Sequence, residues 1–262
     1  MATLADQEYE FFCRKIRALT GLDLSSYKKN QMDRRLRSLM QRLNVDGYSA
    51  YGRLLERDEA RLKEFRDFIT INVSEFFRNP DKFDELRTRI LPELLRASPR
   101  LKLFSAGCSN GSEPYTLAII LEELTPGRRH EILAVDIDDH ALAVARAGVY
   151  TANDLKNVNP NQLRRHFTAV DGGYRAKDDL RSRIRFERGD LLADRFEDGF
   201  DLIVCRNVVI YFTDAAKTSL YSKFHAALKP GGVLFVGGTE SIFNAKELGF
   251  ESVAPFFYRK PV

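Results

Sequence analysis

The chain is short of the residues that most enzyme chemistries draw on. Its 262 residues include three cysteines, Cys13, Cys108 and Cys205, and four histidines. The cysteines are odd in number and far apart, so neither a disulfide framework nor a zinc spacing is present. The histidines at 130, 140, 166 and 225 have no partner at useful spacing, and no metal is expected. No Gly-x-Ser-x-Gly elbow or Cys/His pairing supports hydrolysis. No apolar run approaches the ~20 residues that cross a bilayer. The opening MATLADQEYEFF lacks the basic and apolar segment of an export signal. Internal repeats and low-complexity tracts are absent. These gaps predict a reduced, cytoplasmic protein with no membrane insertion.

Hydrophobic residues make up 44% of the chain, enough for one large domain or two small ones. Net charge is only +4, but it is unevenly placed. Between Lys28 and Arg42 lie Lys28, Lys29, Arg34, Arg35, Arg37 and Arg42 against the single acid Asp33. One basic surface is therefore presented, which suits an acidic partner.

Residues 1–78 read as a small all-helical domain, with helices over Glu8–Leu19, Tyr27–Leu43, Tyr48–Leu55 and Ala60–Ile71. In the second, Met32, Leu36, Leu39, Met40 and Leu43 form one apolar stripe. Arg34 and Arg37 project from the opposite side, with Arg35 and Arg42 on the flank. Residues 79–99 read as a linking helix with Asn79 as N-cap and Pro80 at its first position. From residue 100 to 262 apolar runs alternate with helical stretches: LKLFSA, EILAVDI, IRFERGD, FDLIVCRN and VLFVGG. That alternation predicts an α/β domain with a doubly wound, mostly parallel sheet. Lys229-Pro-Gly-Gly232 reads as a turn and ESVAPFFYRK as a last antiparallel strand. Residues 149–185 fit less well and read as an inserted subdomain, with two short helices about Asn159-Pro160 and a small hairpin.

The most informative stretch is LKLFSAGCSNGSEPYTLAIILEEL, a buried strand, a small-residue loop and a helix. Asp136 ends the next apolar run, 25 residues after Gly111, near the ~20-residue offset of an acid that binds ribose hydroxyls. Small residues such as Gly107 in the loop suit a cofactor lying against the backbone. The loop is not Gly-x-Gly-x-x-Gly, and Glu113 at the helix start would repel a pyrophosphate. A carboxylate there suits a cationic cofactor instead, and S-adenosylmethionine carries both a sulfonium and an α-amino group. The plainer alternatives are an ordinary tight turn with Glu113 as a helix cap, and Asp136 as a helix N-terminal acid beside Asp138 and Asp139. Asp190 ends the third strand, where its carboxylate can accept from an adenine amino group or simply close a turn with Gly189. Arg206 and Asn207 end the fourth strand and face the crevice of such a sheet. Tyr211 follows, either lining that crevice or packed as an aromatic. Asn72, Ser74 and Arg78 interrupt an apolar run before the sheet domain, as caps or as polar contacts to ligand.

The runs INVSEFFRN, AGCSNGSEPYT, AVDIDDHAL, FDLIVCRNVVIYF and GGVLFVGGTESIF together resemble the CheR family of chemotaxis receptor methyltransferases. The likeness runs in order from about Tyr9 to Arg259. It implies a class I S-adenosylmethionine methyltransferase fold behind a helical N-terminal domain. Cofactor contacts are implied at Asn72, Ser74, Arg78, Glu113, Asp136, Asp190, Leu191, Arg206 and Asn207. Family members often carry Thr at the position of Ser74 and Asn at that of Asp190. The implied reaction makes glutamyl methyl esters on the cytoplasmic helices of chemotaxis receptors, leaving S-adenosylhomocysteine. A glutamate with pKa near ~4.3 is already ionised at neutral pH and needs no general base. Arg78 and Tyr211 are the candidates for orienting it. Lys28, Arg34, Arg35, Arg37 and Arg42 are the candidates for holding a glutamate-rich helix. The protein is expected to act as a monomer without nucleic acid. Two alternatives are a nucleic-acid methyltransferase gripping phosphates with the same helix, and a non-catalytic module that retains the cofactor.

Overall fold

Four helices account for most of the first 70 residues, and each has a local reason. In the computed structural model, which describes residues 4–70 and 74–262, α1 (Leu4–Thr20), α2 (Lys29–Arg42), α3 (Tyr48–Arg57) and α4 (Glu59–Ile69) follow in order. α4 is capped by Asp58, whose side chain accepts from the Arg61 N–H at 3.1 Å. The α2 stripe is buried at Met32, Leu36, Leu39 and Met40, with Leu43 partly covered. Phe12 packs at the centre of these helices, stacked on Tyr51 at 5.7 Å and edge-on to Phe65 at 6.2 Å.

This helical unit (Met1–Ile71) also takes in Ile210–Thr218, a segment far along the chain. Tyr27 and Phe212 form an antiparallel bridge with their rings edge to face at 5.2 Å. Backbone bonds from Lys28 N–H to the Tyr211 carbonyl (2.9 Å) and from Thr213 N–H to the Ser26 carbonyl (2.8 Å) extend it.

The second unit (Asn72–Val209 with Ser219–Val262) holds the sheet. It begins with α5 (Pro80–Glu85), a π-helical turn (Leu86–Ile90) and α6 (Leu91–Ala97). Then come β1 (Lys102–Ala106), α7 (Ser112–Leu124), β2 (Glu131–Asp136) and α8 (Asp139–Ala147). The inserted region holds β3 (Val149–Tyr150), α9 (Pro160–His166), β4 (Phe167–Val170), β5 (Gly173–Ala176) and α10 (Asp178–Arg181). The sheet resumes with β6 (Ile184–Arg188), β7 (Phe200–Cys205), α11 (Asp214–Ala227), β8 (Leu228–Val236), β9 (Glu251–Ala254) and β10 (Phe257–Arg259).

Seven strands run in the order β6-β2-β1-β7-β8-β10-β9. The first five are parallel, β10 is antiparallel to β8, and β9 is antiparallel to β10. β7 is buried along its whole length and β1 at all but its first residue. A parallel sheet covered on both faces demands such unbroken apolar runs. Registers Ser105↔Val204 and Cys205↔Val236 bring the carboxyl ends of β1, β7 and β8 to one edge. The doubly wound architecture expected from the alternation is what forms.

Several local expectations are corrected. Asn79 does not cap a helix with its side chain; it sits in the left-handed region at φ 61°. The helix after it runs without a gap from Pro80 to Ala97 as expected, but takes a π-helical turn at Leu86–Ile90. Lys229–Gly232 is not a turn but lies within β8, where the register against β7 slips between Phe200 and Leu202. The C-terminal strand is two strands, β9 and β10, paired with each other. In the insertion, β4 and β5 form the expected hairpin, and β3 adds a third strand. Residues 152–157 are turns rather than a helix.

Phe76 fastens the segment before α5 to the second unit. It is fully buried, edge-on to Tyr150 at 4.9 Å and Phe167 at 5.6 Å and stacked near Tyr115 at 6.4 Å. Phe76→Ala should therefore lower stability by about 3–5 kcal/mol in urea unfolding. A loss under about 1 kcal/mol would mean that the segment is held by other contacts.

Candidate active site

The loop after β1 is built by backbone geometry before any ligand is considered. Gly107, Ser109 and Gly111 all have positive φ, at 80°, 48° and 87°. A β-carbon on Gly107 would stand 2.5 Å from a Val208 methyl, and one on Gly111 would stand 2.8 Å from the Ala145 methyl. Both glycines are thus required by the protein's own packing as well as by any cofactor. The loop is tied to the end of β2: the Gly107 and Cys108 N–H groups donate to the Val135 carbonyl at 2.8 and 3.0 Å.

Asp136 and Asp138 divide the two roles open from sequence. Asp138 caps α8, accepting from the N–H groups of His140 and Ala141. Asp136 is 8% exposed and binds the loop instead. Its Oδ2 accepts from Ser109 N–H at 2.7 Å and its Oδ1 from Asp138 N–H at 3.0 Å. A carboxylate has about four acceptor positions, so these bonds do not exhaust its capacity for a ligand's hydroxyls. Burial raises its pKa, and the backbone N–H bonds oppose that shift.

Glu113 is not a helix cap. Asn110 satisfies the start of α7, its Oδ1 accepting from Ser112 N–H and the Ser112 hydroxyl. The Glu113 Oε1 accepts from the Ser105 hydroxyl at 2.8 Å, and its Oε2 lies 3.7 Å from Arg206 Nη1. Burial pushes its pKa up, while Arg206, Ser105 and Arg78 pull it down. Arg206 is itself buried, its side chain 3% exposed, between the rings of Phe83 at 5.0 Å and Phe235 at 4.8 Å. Its Nη2 donates to the Arg78 carbonyl and to Asn79 Oδ1, both at 2.8 Å. The structure therefore gathers Arg78, Glu113 and Arg206, with Arg206 serving the protein's own framework.

Ser74 and Arg78 are half-buried on the segment anchored by Phe76; Asn72 lies outside the described residues. Phe77 adopts φ 51°, a region that costs a bulky residue about 1–3 kcal/mol. It is held there by its N–H donating to Thr116 Oγ1 at 3.1 Å. The neighbouring Phe76 carbonyl accepts from Asn157 Nδ2 at 3.1 Å. Asp190 does close a turn, its Oδ1 accepting from Leu192 N–H at 2.8 Å. Lys223 Nζ bonds the carbonyls of Leu191 and Leu192, fixing the loop after β6.

Glu240 was not singled out in the sequence. It is 4% exposed, and one oxygen, Oε2, accepts from both Asn207 N–H and Gly237 N–H. It thereby holds Asn207 at φ 61° and joins the edges after β7 and β8. The signal available was an acid two residues past the glycine pair that follows an apolar strand.

The basic residues belong to the helical unit and are unequally available. Arg35 donates to the Phe68 carbonyl and lies over that ring at 4.6 Å. Arg42 lies over the same ring at 5.1 Å. Arg37 pairs with Asp33 at 2.9 Å. Arg34 is exposed, and among the described residues it has no ion pair. Tyr211 is half-buried, within electrostatic reach of Arg35.

Because the bonds from Asn207 and Gly237 use one oxygen of Glu240, Glu240→Gln can keep these two through its amide oxygen. Glu240→Ala strands two buried N–H groups at roughly 1–3 kcal/mol each. Thermal unfolding should show the Ala variant clearly destabilised and the Gln variant near wild type. Equal losses would mean that the negative charge, not the acceptor, is what the fold requires.

The carboxylates Glu113 and Asp136 beside a strained, side-chain-poor loop fit a cofactor with a cationic end and a ribose. The comparisons agree. The family model described as CheR methyltransferase, SAM binding domain, matches residues 72–255, and the CheR methyltransferase, all-alpha domain, matches residues 7–70. The chain is 41% identical over 256 residues to the chemotaxis protein methyltransferase of Listeria innocua serovar 6a, covering 97% of this chain and 98% of that one. It is 32% identical to chemotaxis protein methyltransferase 1 of Pseudomonas aeruginosa, covering 92% of each. With the Salmonella typhimurium chemotaxis protein methyltransferase it shares 31% identity, over 92% of this chain and 86% of that one. The chain belongs to the CheR family of S-adenosylmethionine-dependent methyltransferases.

Proposed function

We propose that the protein esterifies glutamate side chains on the cytoplasmic helices of chemotaxis receptors. The observation that carries this reading is the near full-length likeness to proteins named for methylation in chemotaxis. The chemistry of the site is in keeping with it. A carboxylate acceptor is ionised without help, so the protein must position and desolvate rather than deprotonate.

When bound, S-adenosylmethionine supplies a methyl group on a sulfonium, open to in-line displacement by a carboxylate oxygen. In this reading Asp136 holds the ribose hydroxyls, while Asp190 and Leu191 hold the adenine. Glu113, Ser74 and Asn207 flank the methionine end. Arg206 keeps the Arg78–Asn79 turn against the Glu113 carboxylate. Arg78 and Tyr211 orient the acceptor carboxylate; arginine has no acceptor site and serves by charge and hydrogen bonding alone. The cytoplasmic setting and action as a monomer are part of the same reading.

The test is methyl transfer from labelled cofactor to receptor cytoplasmic fragment, RNA and DNA in parallel. Label should enter the receptor and leave as methanol in mild base, as an ester requires. Label retained through base, or found only in nucleic acid, would overturn the glutamate assignment.

The exposed cations of α2 supply a second test. Arg34→Ala/Arg37→Ala removes only exposed charges, which steer encounter more than they stabilise folds. Thermal stability and S-adenosylhomocysteine affinity should hold. The rate at low receptor concentration should fall, and wild type should slow as salt rises. A double variant matching wild type at low salt would leave α2 as a merely solvated face.

A further inference from the structure

Past the carboxyl end of β8 the chain holds one aromatic ring wholly in water: Phe243 is 100% exposed. Isolated surface hydrophobics are ordinary. Among the described residues the other large exposed ones have plain settings. Phe11 belongs to the helical unit and is 53% exposed, Val149 and Val170 lie on the small antiparallel sheet, and Val262 ends the chain.

Phe243 differs in how it is held and where. Its neighbours are fastened: Ile242 is buried and its N–H donates to the Tyr258 hydroxyl at 2.9 Å, and Ala245 is buried on the other side. The ring is displayed by a backbone that is anchored on both sides of it. Three residues earlier, Glu240 is hydrogen-bonded to Asn207. Three residues of chain span at most about 11 Å, so Phe243 stands within that distance of the residue that fixes the turn after β7. This is the sheet edge on which Asp136, Glu113 and Asn207 are assembled.

The acceptor must present its carboxylate at that edge. A helix repeats every ~5.4 Å, so side chains one or two turns from the modified residue come within reach of Phe243. We propose that Phe243 is a substrate anchor that takes an apolar side chain of the acceptor helix, one to two turns from the glutamate being methylated. The inference rests on the receptor-helix reading above. Aromatic residues, phenylalanine among them, are enriched at protein interfaces.

Phe243→Ala removes a side chain that makes no core contact, so the variant folds as wild type does. Steady-state methylation of a receptor cytoplasmic fragment should show KM for the receptor raised about tenfold with kcat unchanged. S-adenosylhomocysteine affinity, read by calorimetry, should stay within about twofold. An unchanged receptor KM alongside active wild-type enzyme overturns the anchor and leaves the glutamate reading standing. A parallel fall in S-adenosylhomocysteine affinity also overturns it, by placing the effect in the cofactor loops. Wild-type enzyme that methylates no receptor overturns both.

Discussion

The sheet unit depends on one buried cation. Arg206 sits between two phenylalanine rings and spends its guanidinium on the Arg78 carbonyl, the Asn79 amide and the Glu113 carboxylate. Taking a guanidinium out of water is costly unless its donors are engaged. Burial lowers its pKa and Glu113 raises it, so the charge is kept by its partners. Those partners lie in two places, the strained segment before α5 and the first turn of α7, while Arg206 itself follows the end of β7. A single side chain therefore sets the spacing among them. The left-handed conformations of Phe77 and Asn79 persist because this bond and the Thr116 hydroxyl overdetermine the turn.

The acidic residues of the crevice share a second trait. Asp136, Asp190 and Glu240 each accept a backbone N–H of their own loop, and Asp136 and Glu240 also accept one from the loop after another strand. Such bonds hold the carboxylates in place before any ligand arrives, so little ordering remains to be done on binding. They also lend the loops rigidity that their composition alone would not give.

The doubly wound sheet was legible because buried parallel strands must be continuous apolar runs, and LKLFSA, EILAVDI and FDLIVCRN are such runs. The loop–helix–acid pattern located Glu113 and Asp136 for the same reason. What escaped was tertiary. Nothing in Lys229-Pro-Gly-Gly232 announces a strand, since the slip against β7 accommodates it only once β7 is in place. Asn79 carries cap chemistry in its sequence, but its amide is claimed by Arg206, far along the chain. Glu240 was overlooked because its task is to hold another loop's backbone. The sequence set Arg35 and Arg42 on the flank of the basic helix, but could not show that Phe68 of a different helix engages both.

The helical unit is discontinuous in sequence, because Ile210–Thr218 returns to pair with Ser26–Lys28. A gene begun at residue 72 would not yield a clean sheet unit. It would leave Phe212, which is buried against Tyr27, without its cover. Nor could the N-terminal region be exchanged between relatives as a single cassette. Two segments would have to travel together, and the second begins only four residues after Arg206. Inheritance of the helical unit and of the sheet edge after β7 is thereby linked: a chimaera must respect both boundaries, or accept an exposed aromatic seam.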